Sequence, residues 1–164
     1  MLIYLLRHGI AEPRGYAAYP NDDRPLTEIG IQKITKEAKS LARILPPLGI
    51  ILTSPLSRAA ETANIVAREL LVEPKVQICQ ELLPGSSMKK LMANLASHEN
   101  LSNIFLVGHE PDLGRFASSL LGATGSILDF KKGSIACIEI DCLPPNTTGR
   151  LLWLLTPGQA RALG

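Results

Sequence analysis

The sequence predicts an α/β fold, a three-layer sandwich with a mostly parallel central sheet flanked by helices. Two features carry that reading. Short, wholly apolar runs recur along the chain, as strands buried on both faces require. Between them lie longer stretches with helix caps and stop signals. Length adds a third: 164 residues with no internal repeat and no linker favour one domain covering 1–164.

Residues 2–6 (LIYLL) read as the first buried strand. Residues 12–25 are rich in Pro, Gly, Asp and Asn and read as a loop. Thr27 caps a helix expected to reach about Leu45, where Pro46-Pro47 stop it. Residues 50–53 form a second strand. Ser54-Pro55 then reads as a cap followed by proline at the first helical position, opening a helix to about Leu71. A third strand is expected at 76–79, and Ser86 caps a helix to about Ser97. Residues 103–107 (NIFLV) make a fourth strand, followed by Gly108-His109 and a helix through Leu121. Residues 134–141 and 151–155 close the sheet, with Pro144-Pro145-Asn146 as the turn region between them.

Composition narrows the function classes. Aromatics are only 4%, so Leu, Ile, Val and Ala must build the core. A net charge of +2 gives no reason to expect nucleic acid or a membrane as partner. Cys79, Cys137 and Cys142 are odd in number and lack CxxC spacing, which argues against a disulfide framework or a zinc site. They read as small buried hydrophobes of a reducing compartment. The apolar start is too short for a signal segment, and no stretch reaches the length of a membrane span. The expectation is a cytoplasmic protein.

Ligands of such sheets bind outside the carboxyl ends of the strands. Arg7-His8-Gly9 lies just past the first strand, Ser54 and Arg58 past the second, His109 past the fourth. That set suits phosphoryl transfer. A neutral His8 imidazole supplies a nucleophile, and Arg7 and Arg58 supply charged forks matched to phosphate oxygens. His109 adds a donor for charge developing in the transition state. Gly9 lets backbone approach the anion, and the first helical turn that carries Arg58 favours one. No metal or other cofactor is required. Any one piece alone is weak: His109 by itself reads as a hydrogen-bonded structural histidine, and Arg58 as a helix-surface arginine. The ordered set carries the weight.

The quoted stretches resemble those of the histidine phosphatase superfamily, which includes phosphoglycerate mutases and acid phosphatases. The similarity extends to its short SixA-type phosphohistidine phosphatase branch. It rests on Arg7-His8-Gly9, Arg24-Pro25-Leu26-Thr27, the run from Ser54 to Ala63 (SPLSRAAETA), Glu81-Leu82 and Val107-Gly108-His109-Glu110-Pro111. The resemblance implies a phosphoglycerate mutase-like fold without a large lid domain. It also implies a phosphatase that phosphorylates His8 transiently, grips phosphate with Arg7, Arg58 and His109, and releases it to water. Many members place an acidic residue between the second arginine and second histidine. Glu81 fills that interval and is the candidate general acid; the alternative is that it caps or packs near the rim. Asp112 and Glu110 are the other carboxylates near His109, Glu110 serving a helix N-terminus.

Only about fifty residues separate Arg58 from His109, and regular elements take up most of them. Little chain is left for a lid, so the site is expected to be open. A protonated imidazole leaves phosphorus more easily than an alkoxide, so a site without a secure acid suits phosphohistidine. The expected partner is a phosphohistidine-bearing signalling or phosphocarrier protein. A broad small-molecule phosphomonoesterase on the same fold is the alternative, and a non-catalytic phospho-ligand binding module stands behind it. Arg14, Arg24 and Asp22-Asp23 shape the rim or are simply solvated, and Lys131-Lys132 reads as exposed surface.

Overall fold

The computed structural model describes all residues except 16, 20, 71–74 and 164. In chain order they form β1 (Leu2–Arg7), α1 (Glu28–Leu41), β2 (Ile50–Thr53), α2 (Ser57–Glu69) and β3 (Lys75–Ile78). A 3-10 turn (Gln80–Leu82), α3 (Met88–Ala96), β4 (Asn103–Gly108) and α4 (Asp112–Leu120) follow. The chain closes with β5 (Ile135–Glu139), β6 (Arg150–Leu155) and α5 (Pro157–Ala162).

The strands form one sheet in the order β3-β2-β4-β1-β5-β6. The β3-β2-β4-β1 part is parallel; β5 runs antiparallel to β1, and β6 antiparallel to β5. The two inner strands β1 and β4 alternate their side chains between two apolar layers. Ile3, Leu5, Ile104 and Leu106 pack with Leu95, Leu113 and Phe116 of α3 and α4. Tyr4, Leu6, Phe105 and Val107 pack with Ile34, Ala38, Ala63 and Val66 of α1 and α2. Burial on both faces explains why these strands read as continuous apolar runs. The α/β sandwich and its mostly parallel sheet are as the sequence predicts. None of the described helices is long and apolar enough to cross a membrane.

Element ends differ from expectation where side chains have other work. Thr27 caps α1 through Gly30 N, but the helix stops at Leu41, not Leu45. Ser54 does not cap α2, which starts three residues later with no cap from its own segment. Asp23 takes that role from a distant loop, accepting Ser57 N at 2.6 Å. The expected end of this helix at Leu71 lies outside the described residues. The cap residue of α3 is Ser87, not Ser86. The sequence reading lacked α5, a six-residue helix with a Thr156–Gln159 capping box packed on α1. The box is legible as TPGQ, but so short a segment lacks the apolar period of a longer helix.

Gly30 sets how closely α1 approaches the loop beyond β1. A Cβ there would lie 2.1 Å from the Ile10 carbonyl oxygen, which accepts Thr27 N at 2.9 Å. In an exposed helix, Gly→Ala stabilises by up to about 1 kcal/mol. Gly30→Ala is expected to do the opposite, costing about 1–3 kcal/mol as overpacking. A urea titration checks this; an unchanged or raised midpoint contradicts it.

Candidate active site

Three adjacent strands deliver the site. Arg7 stands in register with Gly108, and Thr53 with Val107, so the residues that follow emerge side by side. Backbone bonds extend the pairing: His8 N donates to Gly108 O at 3.1 Å and Ser54 N to Val107 O at 3.0 Å. Two buried imidazoles result, with ring centroids 5.0 Å apart. Arg7, His8, Arg58 and His109 line one cleft, together with Glu12, Arg14, Arg24, Pro84, Glu110 and Lys132.

The tautomer of His8 follows from its partner. Its Nδ1 lies 2.7 Å from the Gly9 carbonyl oxygen, which can only accept. Nδ1 therefore holds the proton, and in the neutral ring Nε2 holds a lone pair. Burial pushes the His8 pKa down to about 3; the Gly9 bond opposes this, and His109, Arg58 and Arg7 reinforce it. His109 is likewise pushed down to about 3, by burial first and then by Arg58 and Arg7. Both rings are neutral at pH 7. The Ser54 hydroxyl accepts Leu56 N at 3.4 Å, and its own proton is free for His109 Nε2, 2.8 Å away. With Ser54 donating, His109 Nδ1 becomes an N–H donor.

The guanidinium groups are fixed from outside the cleft. Arg58, 2% exposed, donates Nη1 to Asp22 O at 2.8 Å and places Nη2 3.6 Å from Asp22 Oδ2. Arg7 donates to Phe130 O, and its backbone is strapped to Gly133 and Ser134. Arg24 binds Asp22 Oδ1 at 2.7 Å and also the Glu12 carbonyl. These bonds leave specific atoms over. Among the described residues, five buried side-chain N or O atoms have no partner, and three are Arg7 Nε, Arg58 Nε and His109 Nδ1. Leaving such a group unsatisfied costs about 1–3 kcal/mol each. The residues that carry these three atoms all line the cleft, so it presents donors suited to an oxyanion.

Three expectations differ from what the structure shows. Gly9 does not turn its backbone N–H to the cleft; Thr62 Oγ1 accepts it at 3.1 Å. Glycine is needed there because a Cβ would lie 2.6 Å from Ile34 Cγ1 of α1. The first turn of α2 likewise spends its Ser57 N–H on Asp23. Glu81 is not among the residues lining the cleft. It lines a small apolar depression that meets the cleft only at His109, and its Oε2 lies 3.4 Å from both Cys79 Sγ and Asn94 Nδ2. Asp112 lines the same depression and binds Gly85 N. Glu110 lines the cleft, but its oxygens accept Gly114 N and Phe130 N, so it holds α4 and the Phe130 backbone together.

Ser54, Thr62 and Asp22 are the residues whose roles the sequence reading missed. Thr62 Oγ1 donates to Arg58 O while holding Gly9, tying α2 to the end of β1. Its position, one helical turn after Arg58, was the available signal. Among the described residues, no three His, Cys, Asp or Glu side chains gather as metal ligands.

The two depressed histidine values carry a stability consequence. Below pH 6.5 both rings take protons in the unfolded chain, but in the folded protein they stay neutral down to about 3. The unfolded state binds more protons in that window, so stability falls as pH drops from 6.5 toward 3. The variant carrying His8→Asn and His109→Asn is expected to lose Tm less steeply than wild type between pH 6.5 and 4.5. Parallel Tm–pH curves contradict this.

Comparison with known proteins agrees with the geometry. The family model for the histidine phosphatase superfamily (branch 1) matches residues 3–82. An uncharacterised protein of Picosynechococcus sp. (strain PCC 7002) is 42% identical, covering 96% of this chain and 97% of that protein. Phosphohistidine phosphatase SixA of Escherichia coli K12 is 25% identical over 96% of this chain and 94% of its own. A solved structure of the protein histidine phosphatase SixA with tungstate superposes with TM-score 0.83 at 24% identity, covering 96% and 98% of the two chains. The chain belongs to the histidine phosphatase superfamily, branch 1.

Proposed function

We propose that the protein is a phosphatase that removes phosphate from phosphohistidine on a partner protein, through a phosphorylated His8. The observation that carries this is a neutral His8 with a lone pair on Nε2, in one cleft with Arg7, Arg58 and His109, each of which keeps a buried nitrogen without a protein partner. His8 Nε2 attacks phosphorus, the substrate P–N bond breaks, and the substrate imidazole leaves after protonation. Arg7, Arg58 and His109 hold the three equatorial oxygens as negative charge spreads over them. Water then attacks the phosphorus on His8, the P–Nε2 bond breaks, and orthophosphate departs with His8 restored. No metal enters either step.

The substrate class is supported by what surrounds the cleft. Among the described residues, Arg58 is the only one lining the cleft that lies in a helix, so none of them comes from a helical roof. The rest come from strand ends and loops, which leaves room for an imidazole carried on a protein surface. With Glu81 outside the cleft and both Glu110 oxygens engaged, a substrate whose leaving group protonates easily is favoured over an alkyl phosphate. The name of the 25%-identical relative supports the same class.

The test is phosphate release from a phosphohistidine-bearing phosphotransfer domain beside a panel of small phosphomonoesters. Fast release from the protein, abolished in His8→Ala and unaffected by a strong chelator, is expected. Efficient release from an ester with none from phosphohistidine protein contradicts the reading. Arg58→Ala should cost about 2–4 kcal/mol of transition-state stabilisation, by analogy with loss of one preorganised donor. A fall in kcat/KM of less than tenfold would remove Arg58 from the phosphate.

A further inference from the structure

We infer that the active-site cleft continues as a basic track over Lys131 and Lys132 to Lys33, and that this track docks the acidic surface surrounding the phosphohistidine of a protein substrate. The inference rests on the phosphohistidine reading above and deepens it. A second cleft lies against the first, and the two share Arg7 and Lys132 as walls. It is bounded by Gly30, Lys33 and Glu37 of α1, by Lys131, and by the start of α5.

Charge is distributed unevenly around these clefts. Together they hold eight of the chain's 17 Lys and Arg but only three of its 15 Asp and Glu, leaving nine cations and eleven acids among the other described residues. The net charge of +2 hides this polarity. The three acids do little to offset it. Glu37 is buried and bonded to Arg161, and Glu110 is bonded to two backbone N–H groups, which leaves Glu12.

One phosphoryl group does not need so many cations. Arg7, Arg58 and His109 suffice for its oxygens, while Arg24 is spent on Asp22 and Arg161 on Glu37. Lys33, Lys131 and Lys132 are exposed and make no side-chain hydrogen bond or ion pair with the described residues. Arg14 has only a 3.7 Å contact to Asp22, with 80% of its side chain exposed. Lys132 is held below the usual lysine range by partial burial first, then by Arg7, Arg24, Arg58 and Arg14. Such accumulation of like charge is self-repulsive in the free protein and is relieved by a complementary anionic surface. A small phosphate ester filling the first cleft leaves Lys33 and Lys131 untouched. A protein carrying carboxylates beside its phosphohistidine reaches them.

Lys33→Glu combined with Lys131→Glu tests this, since neither residue lines the first cleft. The substrates are an acidic phosphohistidine-bearing phosphotransfer domain and a small phosphoramidate. On the protein, kcat/KM is expected to fall by about tenfold or more at low ionic strength, mainly through KM. The difference should shrink as salt rises, while turnover of the small phosphoramidate is unchanged. Equal losses on both substrates, or no loss on the protein, overturn the docking track and leave the phosphohistidine reading standing. Wild-type enzyme that turns over the small probe but ignores the protein removes that reading, and the track with it. Thermal stabilisation of wild type but not the variant by tripolyphosphate, with protein turnover unaffected by the substitutions, assigns the track to a small polyanion and also overturns the proposal.

Discussion

A guanidinium almost fully withdrawn from water has to be held by anions or carbonyls, and much of this structure is arranged around that need. Arg58 is 2% exposed. Leaving a buried polar group without a partner costs about 1–3 kcal/mol, and more when the group is charged. The partner is Asp22, which offers its carbonyl and one carboxylate oxygen to Arg58 and the other to Arg24. Asp22 sits at φ 55, the left-handed region that Asp tolerates better than most residues. Its neighbour Asp23 caps α2, and Glu61 of α2 accepts Leu26 N. The loop and the helix thus hold each other, and Arg58 lies between them. The protein partners are still incomplete, because Arg58 Nε, Arg7 Nε and His109 Nδ1 keep unspent valence. Under the proposed function, an oxyanion entering the cleft meets donors from these same three residues.

The same electropositive surroundings set the chemistry of His8. Burial and nearby arginines keep its ring neutral, and the Gly9 carbonyl fixes the proton on Nδ1. A cationic imidazole has no lone pair to offer phosphorus, so in the proposed reaction one environment both collects the anion and keeps the nucleophile unprotonated. When a phosphate dianion enters, it offsets the positive field at both rings. If the substrate is the proposed phosphohistidine, its freed imidazole needs one proton, and a field balanced by the dianion no longer opposes proton delivery there.

The fold was legible because its strongest signals are buried on both sides. Runs such as LIYLL and NIFLV have no polar face, which only an inner strand of a covered sheet satisfies. The convergence of Arg7, His8, Arg58 and His109 on one cleft was legible because strand ends are where such sheets present ligand groups. The reading failed where a residue's partner is remote in sequence. Ser54 followed by proline looks like a helix cap, yet its hydroxyl faces His109, 55 residues on. Gly9 looks like room for an anion, but its missing side chain is room for Ile34. Glu81 falls in the interval the resemblance singles out but lines a neighbouring depression that meets the cleft at His109. Local pattern specifies an element; only packing says which way a given side chain in a turn is directed.

The central claim is that neutral His8 Nε2 takes the phosphoryl group, and trapping that state tests it most directly. Wild-type protein is mixed rapidly with a radiolabelled phosphohistidine-bearing domain and quenched in alkali, and its peptides are separated and sequenced by mass spectrometry. The account predicts phosphate on the peptide containing Arg7-His8-Gly9, assigned to His8, stable in alkali and lost in acid. Turnover with no labelled enzyme at any time, or label on His109 or on any other residue, contradicts it.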